Sequence, residues 1–144
     1  QNTGAGSDTL SGFENLDGSA FNDILTGDAN ANTLSGGAGD DTLNPGANAM
    51  GTMDVLDGGL GSDTASFAGL GGVTAILNGA TDGTALIAGM PAATLRNIEN
   101  LLGGDGNDTL VGDGNDNVIE GGLGNDVMVG GGGVDTLSSA ARRQ

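Results

Sequence analysis

The 144-residue chain contains no cysteine, histidine, lysine, tryptophan or tyrosine. The absence of cysteine excludes disulfides as a source of stability. Without histidine, lysine, cysteine and tyrosine, only serine, threonine and carboxylates remain as candidate nucleophiles and general bases. Paired acids of the glycosidase kind remain conceivable, but the repeats described below account for nearly all of the acids. The sequence therefore predicts that the chain is not an enzyme.

Aromatic and basic residues are also scarce. Three phenylalanines are the only aromatics, too few for a large globular core. Arg96, Arg142 and Arg143 stand against 19 acids, which gives a net charge of −16. Such a chain cannot neutralise phosphates, so nucleic acid is not expected as a partner. Several bound divalent cations, by contrast, would cancel most of the excess charge.

Long apolar runs are absent as well. No run approaches the length that spans a membrane, so no membrane span is expected. No secretory signal is visible, and the chain starts with Gln1 rather than Met. We therefore expect a processed chain or a fragment of a longer one.

Glycine is abundant instead, with 31 residues, but it follows no three-residue period, which excludes collagen. Its pattern is clearest in residues 103–138, where four nine-residue units follow one another without a gap. They read GGDGNDTLV, GDGNDNVIE, GGLGNDVMV and GGGGVDTLS. In each unit glycine comes first, Asp or Asn sixth and an apolar residue eighth. This period predicts a solenoid, because a single unit cannot bury its apolar residue alone.

Each unit predicts a turn followed by a short strand. The first six residues are rich in Gly and Asn, and the last three include a strand former. The fourth position is Gly106, Asn115, Gly124 or Gly133, the residue types that best tolerate positive φ. Such a turn can direct its carbonyl oxygens inward, and the sixth-position carboxylate adds a charged oxygen. Hard cations that favour oxygen ligands, above all Ca²⁺, fit this arrangement.

Stacking would bring the sixth positions together. If two units make one coil, units two apart stack on the same side, which pairs Asp108 with Asp126 and Asn117 with Asp135. Ordering nine backbone residues costs roughly 9–18 kcal/mol, whereas burying one Leu returns about 1.5–3 kcal/mol. We therefore expect ions between the coils to contribute to the folding free energy. The alternatives are acids solvated in ordinary loops and an acidic disordered segment; the unbroken register of four units argues against both.

The same unit recurs in the first half of the chain. Residues 3–11 fit one unit, and three more are in phase over residues 18–44. Four residues around Pro45 break the phase, which 49–57 resumes weakly and 58–66 clearly. We expect Pro45 to mark a loop that bulges from the solenoid. The sixth positions then predict the stacked pairs Asp23/Asp41, Asn32/Asp54 and Asp41/Asp63.

Residues 67–102 separate the two repeat blocks and lack the repeat. Within them, VTAIL (73–77) and TALIA (84–88) predict two strands longer than those of the units. The turn region NGATDG joins them. We expect this segment to pack on the roll or to form wider coils of it, and a separate binding site is the alternative.

A larger repetition links the two halves of the chain. Residues 9–41 match residues 94–126 at a constant offset of 85, which places Glu14 and Glu99 at equivalent positions. Two carboxylates can indicate catalysis. Because these two recur at matching places in the repeat architecture, we expect them instead to serve the junctions, for example by bonding turn amides.

The units resemble the GGxGxDxUx nonapeptide of the RTX family, secreted bacterial proteins with calcium-binding parallel β-rolls. GGAGDDTLN, GGDGNDTLV and GGLGNDVMV match it fully, whereas GDANANTLS and GDGNDNVIE carry Asp second and Asn fourth and sixth. The resemblance implies an all-β fold, a right-handed parallel β-roll stapled by calcium. One solenoid domain (1–144) would comprise repeat blocks 3–66 and 103–138, the longer-stranded insertion 67–102 and a tail, 139–144.

Carried over position by position, the resemblance implies that several Ca²⁺ ions bind the sixth-position side chains and backbone oxygens of the turns. Asn32 and Asn117 lack a charge, so weaker or empty sites are expected there. The implied side-chain ligands are Asp8, Asp23, Asn32, Asp41, Asp54, Asp63, Asp108, Asn117, Asp126 and Asp135. The implied backbone ligands belong to the turns at Gly37, Gly39, Gly59, Gly61, Gly104, Gly106, Gly122 and Gly124.

The resemblance also implies export by the type I route and folding outside the cell. Millimolar external calcium matches the roughly 10⁻⁴–10⁻³ M affinities of extracellular modules. The last residues, SSAARRQ, do not resemble the family's apolar-tipped export signal. Either the signal lies outside this chain or export follows another route.

We expect a secreted or cell-surface calcium-binding structural module of an adhesin, a surface layer or a filament. Open solenoid ends that stack head to tail would give fibres. The alternative is the C-terminal secretion and folding module of an exported protease, lipase or epimerase. Ice binding, known for some RTX adhesins with Thr at a turn position, is disfavoured because the third positions carry no Thr: Ala5, Ala20, Ala29, Ala38, Leu60, Asp105, Gly114, Leu123 and Gly132.

Overall fold

The structure, a computed structural model, describes residues 12–47 and 52–139. All regular secondary structure in these ranges is β. The same ranges contain no helix that is long and apolar enough to cross a membrane. The strands are β1 (Asn15–Asp17), β2 (Ile24–Thr26), β3 (Thr33–Ala38), β4 (Thr42–Asn44), β5 (Asp54–Leu60), β6 (Thr64–Ser66), β7 (Val73–Ile76), β8 (Gly83–Ile87), β9 (Met90–Arg96), β10 (Asn100–Leu102), β11 (Thr109–Val111), β12 (Val118–Glu120), β13 (Val127–Val129) and β14 (Thr136–Ser138).

The strands form two sheets, and the chain alternates between them except at β7, β8 and β9, which all belong to the first sheet. Sheet A has the order β1-β3-β5-β9-β8-β7-β11-β13, and sheet B has the order β14-β12-β10-β6-β4-β2. Along the repeats, each short strand pairs in parallel with the strand one coil further on, for example β2 with β4 and β11 with β13. The predicted parallel β-roll is confirmed.

The apolar eighth positions fill the interior between the sheets. In sheet A, Leu34 is aligned with Leu56, and in sheet B, Leu25 is aligned with Leu43. Because successive strand residues point to opposite faces, one inward residue per short strand suffices for a continuous core. The eighth-position side chains that are fully buried are Leu34, Leu43, Leu56, Ala65, Leu110 and Ile119.

Residues 67–102 widen sheet A by a hairpin. Strands β9 and β10 form an ordinary coil, since β9 pairs in parallel with β5 and β10 with β6. Strands β7 and β8 pair antiparallel and lie between β9 and β11. The two strands predicted from VTAIL and TALIA are therefore confirmed, and they extend the sheet. The sequence pattern did not predict β9.

The extra residues near Pro45 leave the stacking intact. Thr42 of β4 is aligned with Thr64 of β6, and Leu34 of β3 with Leu56 of β5, so aligned residues are 22 apart in sequence on both sides. Elsewhere in the repeats the spacing is 18, as between Leu25 and Leu43. The predicted bulge is consistent with this difference of four residues.

Candidate metal centre in the stacked turns

The turns stack in two rows along the roll. The first row contains the turns that lead from sheet A to sheet B, and the second row contains those that lead from sheet B to sheet A. Strand register places these residues at the sixth position of the first row: Asp23, Asp41, Asp63, Glu99, Asn117 and Asp135. In the second row, the corresponding residues are Glu14, Asn32, Asp54, Val73, Asp108 and Asp126. Strand register also places Ala93, which lies within β9 and not in a turn from sheet B, beside Asp54.

A ladder of hydrogen bonds joins the sixth positions within each row. The backbone N–H of Asp23 donates to Oδ1 of Asp41 at 2.7 Å, and that of Asp41 donates to Oδ1 of Asp63 at 2.8 Å. In the second row, the Asp108 N–H donates to Oδ1 of Asp126 at 3.1 Å. Hydrogen bonds to charged acceptors contribute about 1.5–3 kcal/mol each. The predicted stacked pairs are confirmed: Asp23/Asp41, Asp41/Asp63, Asn32/Asp54, Asp108/Asp126 and Asn117/Asp135.

Each sixth-position residue, with its hydrogen bond to the neighbouring coil, is called a rung of the ladder. The second carboxylate oxygen accepts a hydrogen bond at some rungs and has no partner at others. Oδ2 of Asp23 accepts the Ser19 N–H at 2.6 Å, and Oδ2 of Asp108 accepts the Gly104 N–H at 2.7 Å. Oδ2 of Asp41 and Oδ2 of Asp63 are buried and have no hydrogen-bond partner. An unpaired charge buried in this way is costly, and a bound cation compensates it.

First-position glycines make room for oxygen atoms from two coils. A β-carbon at Gly36 would collide with Oδ2 of Asp41 and with the carbonyl oxygen of Gly58. A β-carbon at Gly58 would likewise collide with Oδ2 of Asp63 and with the Asn97 carbonyl oxygen. Carboxylate and carbonyl oxygens are the ligands that Ca²⁺ prefers. These turns therefore fit a calcium ion between successive coils.

Backbone oxygens are a necessary part of such a ligand set. In residues 12–47 and 52–139, no three His, Cys, Asp or Glu side chains come together in a way that could hold a metal. Ca²⁺ takes six to eight oxygen ligands, and carbonyl oxygens commonly supply several of them. The glycine-rich sequence of the turns is what lets carbonyl groups approach the carboxylates.

Burial raises the pKa of three carboxyl groups in the rows, those of Asp41, Asp63 and Asp108. It raises the pKa of Asp63 to about 6, and the nearby Asp41 and Glu99 carboxylates raise it further, although the hydrogen bond from the Asp41 amide opposes the change. The pKa values of Asp41 and Asp108 are raised for the same main reason, desolvation. The fold thus holds carboxyl groups where their charged form lacks compensation, which a cation would supply.

The two Asn rungs are satisfied by the protein itself. Oδ1 of Asn117 accepts the Asp113 N–H at 2.9 Å, and its amide donates to the carbonyl oxygen of Glu99 at 2.8 Å. The amide of Asn32 donates in the same way to the Phe13 carbonyl oxygen at 3.0 Å. At these rungs an amide N–H₂ group, which only donates hydrogen bonds, stands where Asp would have a second carboxylate oxygen that could bind a cation. This contact agrees with the expectation of weaker or empty sites at the Asn rungs.

The positive-φ residues differ in part from the prediction. Gly124 and Gly133 have positive φ, but Gly106 and Asn115 do not, and the second-position Gly122 and Gly131 do. In the Asn115 turn, Asp113 accepts the Asn115 N–H at 2.7 Å, a local bond that shapes the turn without positive φ. Gly106 instead packs against the backbone of Gly72, in a turn of the insertion that lacks the repeat.

The predicted backbone ligands lie at the contacts between coils. A β-carbon at Gly61 would collide with the carbonyl oxygen of Gly39, and a β-carbon at Gly124 would collide with the carbonyl oxygen of Gly106. The same relation joins the other turns that were singled out: Gly37 with Gly59 and Gly104 with Gly122. The carbonyl group that lies beside the Asp41 carboxylate belongs instead to a first-position residue, Gly58. The glycine at the first position of every full repeat was the feature of the sequence from which this carbonyl group could have been predicted.

Three residues named in the sequence analysis need separate comment. Asp8 lies outside the residues that the structure describes. Glu99, for which a junction role was expected, accepts the Asp63 N–H through Oε2 at 2.9 Å, so this prediction is confirmed. For Glu14, the register places it beside Asn32 in the second row.

The comparison with known families agrees with the geometry. The sequence matches the RTX calcium-binding nonapeptide repeat, in four copies, over residues 17–49, 54–65 and 102–137, which is more than half of the chain. No curated protein matches the chain. Repeats of this kind bind calcium in secreted proteins. With its matched repeats, its parallel roll and its stacked acidic turns, the chain belongs to the RTX calcium-binding nonapeptide repeat family.

Proposed function

We propose that this chain is an extracellular structural module that folds on binding calcium and contributes to an adhesin, a surface layer or a filament. The observation that carries the calcium-dependent part is the pair of buried, unpartnered Oδ2 atoms of Asp41 and Asp63. Among the described residues, no hydrogen-bond donor reaches either oxygen. At both, a carbonyl oxygen of the next coil comes close to the first-position glycine of the same turn.

The ligands of the ions are the sixth-position acids together with carbonyl oxygens of their turns. Bound calcium supplies positive charge between coils that otherwise repel each other. The Asn rungs contribute hydrogen bonds instead of sites. The proposed side-chain ligands among the described residues are Asp23, Asp41, Asp54, Asp63, Asp108, Asp126 and Asp135.

The charge of the chain supports folding after export. A net charge of −16 opposes the compact state when no counter-ion is bound. In a calcium-poor cytosol the chain therefore stays unfolded and can pass a secretion channel. Outside the cell, millimolar calcium reaches the affinity range of extracellular modules. Metal binding and folding are then one event.

The assembly part of the proposal rests on the last described coil. Leu137 occupies an eighth position, yet it is 47% exposed, whereas Ile119 in the preceding coil is fully buried. Val134 in the same turn region is 81% exposed. A second roll stacked on this end would bury both side chains and extend the sheets by parallel pairing. A head-to-tail contact of this kind does not close, so it gives fibres.

Sedimentation velocity and electron microscopy test the assembly. In calcium, we expect the isolated chain to form elongated particles whose length grows with concentration. Leu137→Asp places a charge at the open end and should abolish this growth. Ile76→Asp is the matched control, because Ile76 is 41% exposed on the outer face of sheet A, away from the end. Circular dichroism at saturating calcium verifies that both variants fold.

The opposite result favours the other candidate. If the wild-type chain stays monomeric at every concentration in calcium, self-assembly is wrong. The module would then be better explained as the C-terminal secretion and folding segment of an exported protease, lipase or epimerase. Calcium-dependent folding is common to both candidates and is tested separately below.

A further inference from the structure

The turn between β9 and β10 is built differently from every matched repeat. Arg96 is aligned with Asp57 and Asn100 with Thr64, so the three residues 97–99 take the place of the six residues 58–63. It also lies outside the matched ranges, which end at residue 65 and resume at residue 102. Even so, this turn takes the place of a repeat turn in the first row, because Asn100 is aligned with Thr64.

The insertion replaces a sixth-position residue at three places, and only one of them keeps a carboxylate. Ala93 is aligned with Asp54, and strand register places Val73 beside Asp108. Both replacements are apolar, so the second row loses its acids across the insertion. In the first row, the residue beside Asp63 is Glu99, and the acidic series Asp23, Asp41, Asp63 continues through it.

The contacts at this junction repeat those of the consensus rung. Asp63 donates its N–H to Oε2 of Glu99 at 2.9 Å, just as Asp41 donates to Asp63. The carbonyl oxygen of Asn97 stands beside Gly58, where the carbonyl oxygen of Gly58 itself stands beside Gly36. Because the turn is short, its last residue needs the longer side chain of Glu to reach the amide that Asp reaches elsewhere.

A second observation points to a ligand at this junction. Oδ2 of Asp63 is buried with no hydrogen-bond partner, and a β-carbon at Gly58 would fill the space between this oxygen and the Asn97 carbonyl. Asn97 adopts φ of 47°, a left-handed conformation that costs energy for a residue other than glycine. Its side chain donates to Oδ1 of Asp57 at 2.7 Å, which holds the turn in this conformation.

We propose that Asp63, Glu99 and the carbonyl group of Asn97 form a further divalent-cation site, which lies outside the nonapeptide consensus and continues the first row into the insertion. The inference rests on the proposed calcium-binding function. It adds one ion at the point where the sequence pattern predicts an interruption. The site would tie β9 and β10, and with them the inserted hairpin, to the first repeat block.

A purely structural role for Glu99 predicts a different result. If Glu99 only accepted the Asp63 N–H, Gln at this position would keep that hydrogen bond and nothing else would change. If Glu99 is a metal ligand, its negative charge is needed. Gln at this position would then lower the number of bound ions by one while the turn remained intact. Glu99→Gln therefore separates the two roles.

The test counts calcium ions by isothermal titration calorimetry and native mass spectrometry on the full chain. We expect Glu99→Gln to bind one ion fewer than the wild type and to retain the β signal at saturating calcium. Glu120→Gln is the matched control, since it removes the same charge from an exposed position on β12 and should keep the full number of ions. An unchanged ion count in Glu99→Gln overturns the proposal. A wild-type chain that binds no calcium refutes the proposed function itself, so the two failures are distinguishable.

A measurement on the wild type keeps the proposal testable if Glu99→Gln fails to fold. The ¹³C resonance of the Glu99 side-chain carboxyl should shift as calcium saturates the chain in NMR titrations. The Glu120 carboxyl resonance, the internal reference, should shift little. A Glu99 carboxyl resonance that stays in place at saturation would contradict direct ligation.

Discussion

At the scale of single residues, the first and sixth positions of the nonapeptide have different physical roles. The sixth residue uses one carboxylate oxygen to bond the amide of the preceding coil and turns the other toward the next carbonyl, as Asp41 does. The first residue must be glycine because Gly36 lies in contact with both oxygens. Asn at the sixth position, as in Asn117, closes the same ladder with hydrogen bonds alone.

Substitution of a first-position glycine should weaken calcium binding directly. Gly36→Ala places a methyl group against Oδ2 of Asp41 and the Gly58 carbonyl oxygen, so these groups must move apart. We expect a loss of about 1–3 kcal/mol in the free energy of unfolding and a calcium midpoint at higher concentration. Gly114→Ala is the control, because nothing lies within 4 Å of a β-carbon there. Equal behaviour of the two variants in urea unfolding and calcium titration would refute the role of Gly36.

The raised carboxyl pKa values predict that acid partly replaces calcium. Asp63 has a pKa of about 6 in the fold, above the value of about 3.9 for Asp in an unfolded chain. The folded state then binds more protons between these values, so calcium-free stability is greatest at low pH and is lost as pH rises through about 6. We expect the β signal of the calcium-stripped chain in circular dichroism to be larger near pH 4 than near pH 7. A signal that stays constant, or that grows with pH, would contradict this.

At the scale of the elements, the strands are short because each needs only one inward residue. A three-residue strand such as β4 buries Leu43 completely, and the neighbouring coils supply its contacts. The period of nine predicted these strands well, since turn and strand chemistry follow each other without exception in the repeats. It could not predict β9, because Met90–Arg96 contains Pro91 and no repeat, and its place beside β5 is decided by long-range pairing.

The candidate site was predictable to the same extent. The sixth-position acids and their stacking partners followed from the spacing alone. The exchange of Asn for Asp was visible, but the acceptor of the Asn117 amide is the carbonyl oxygen of Glu99, a residue outside its own unit. The unpartnered oxygens at Asp41 and Asp63 depend on which amides lie nearby, and one period cannot reveal this.

Truncation of a core side chain should lower the free energy of unfolding more strongly the more deeply the side chain is buried. Leu43→Ala removes a fully buried side chain from a core that is only one residue deep per strand. We expect the free energy of unfolding in saturating calcium to fall by about 2–5 kcal/mol. Leu123→Ala, at a turn position that is 54% exposed, should change it by less than about 0.5 kcal/mol. Urea unfolding of both variants measures this, and comparable losses would contradict the assignment of the core.

The inserted hairpin should be dispensable for the roll. Strands β9 and β10 already complete a coil against β5 and β6, so removal of Val73–Gly89 leaves sheet B unchanged and allows β9 to meet β11. We expect the deletion variant to show a calcium-dependent β transition like that of the full chain. A variant that stays unfolded at saturating calcium would show that the hairpin is required for the roll to form.

At the scale of the whole molecule, a chain with few large side chains is ordered by repetition. Two rows of acidic turns flank a narrow core, and the excess of negative charge lies in the same turns that bring the coils together. Protein groups alone leave buried carboxylate oxygens without partners. We therefore expect bound ions to complete the structure, and the stability of the module to depend on the calcium concentration around it.

Circular dichroism during a calcium titration, beside a parallel titration with Mg²⁺, tests this account most directly. Ca²⁺ accepts the irregular carboxylate and carbonyl geometry of the turns, whereas Mg²⁺ demands a near-ideal octahedron and keeps its waters. We predict a cooperative change from coil to β structure with Ca²⁺ alone, reversed by a chelator. A chelated chain that keeps its full β signal near neutral pH would contradict the central claim that calcium between the stacked turns holds the roll together.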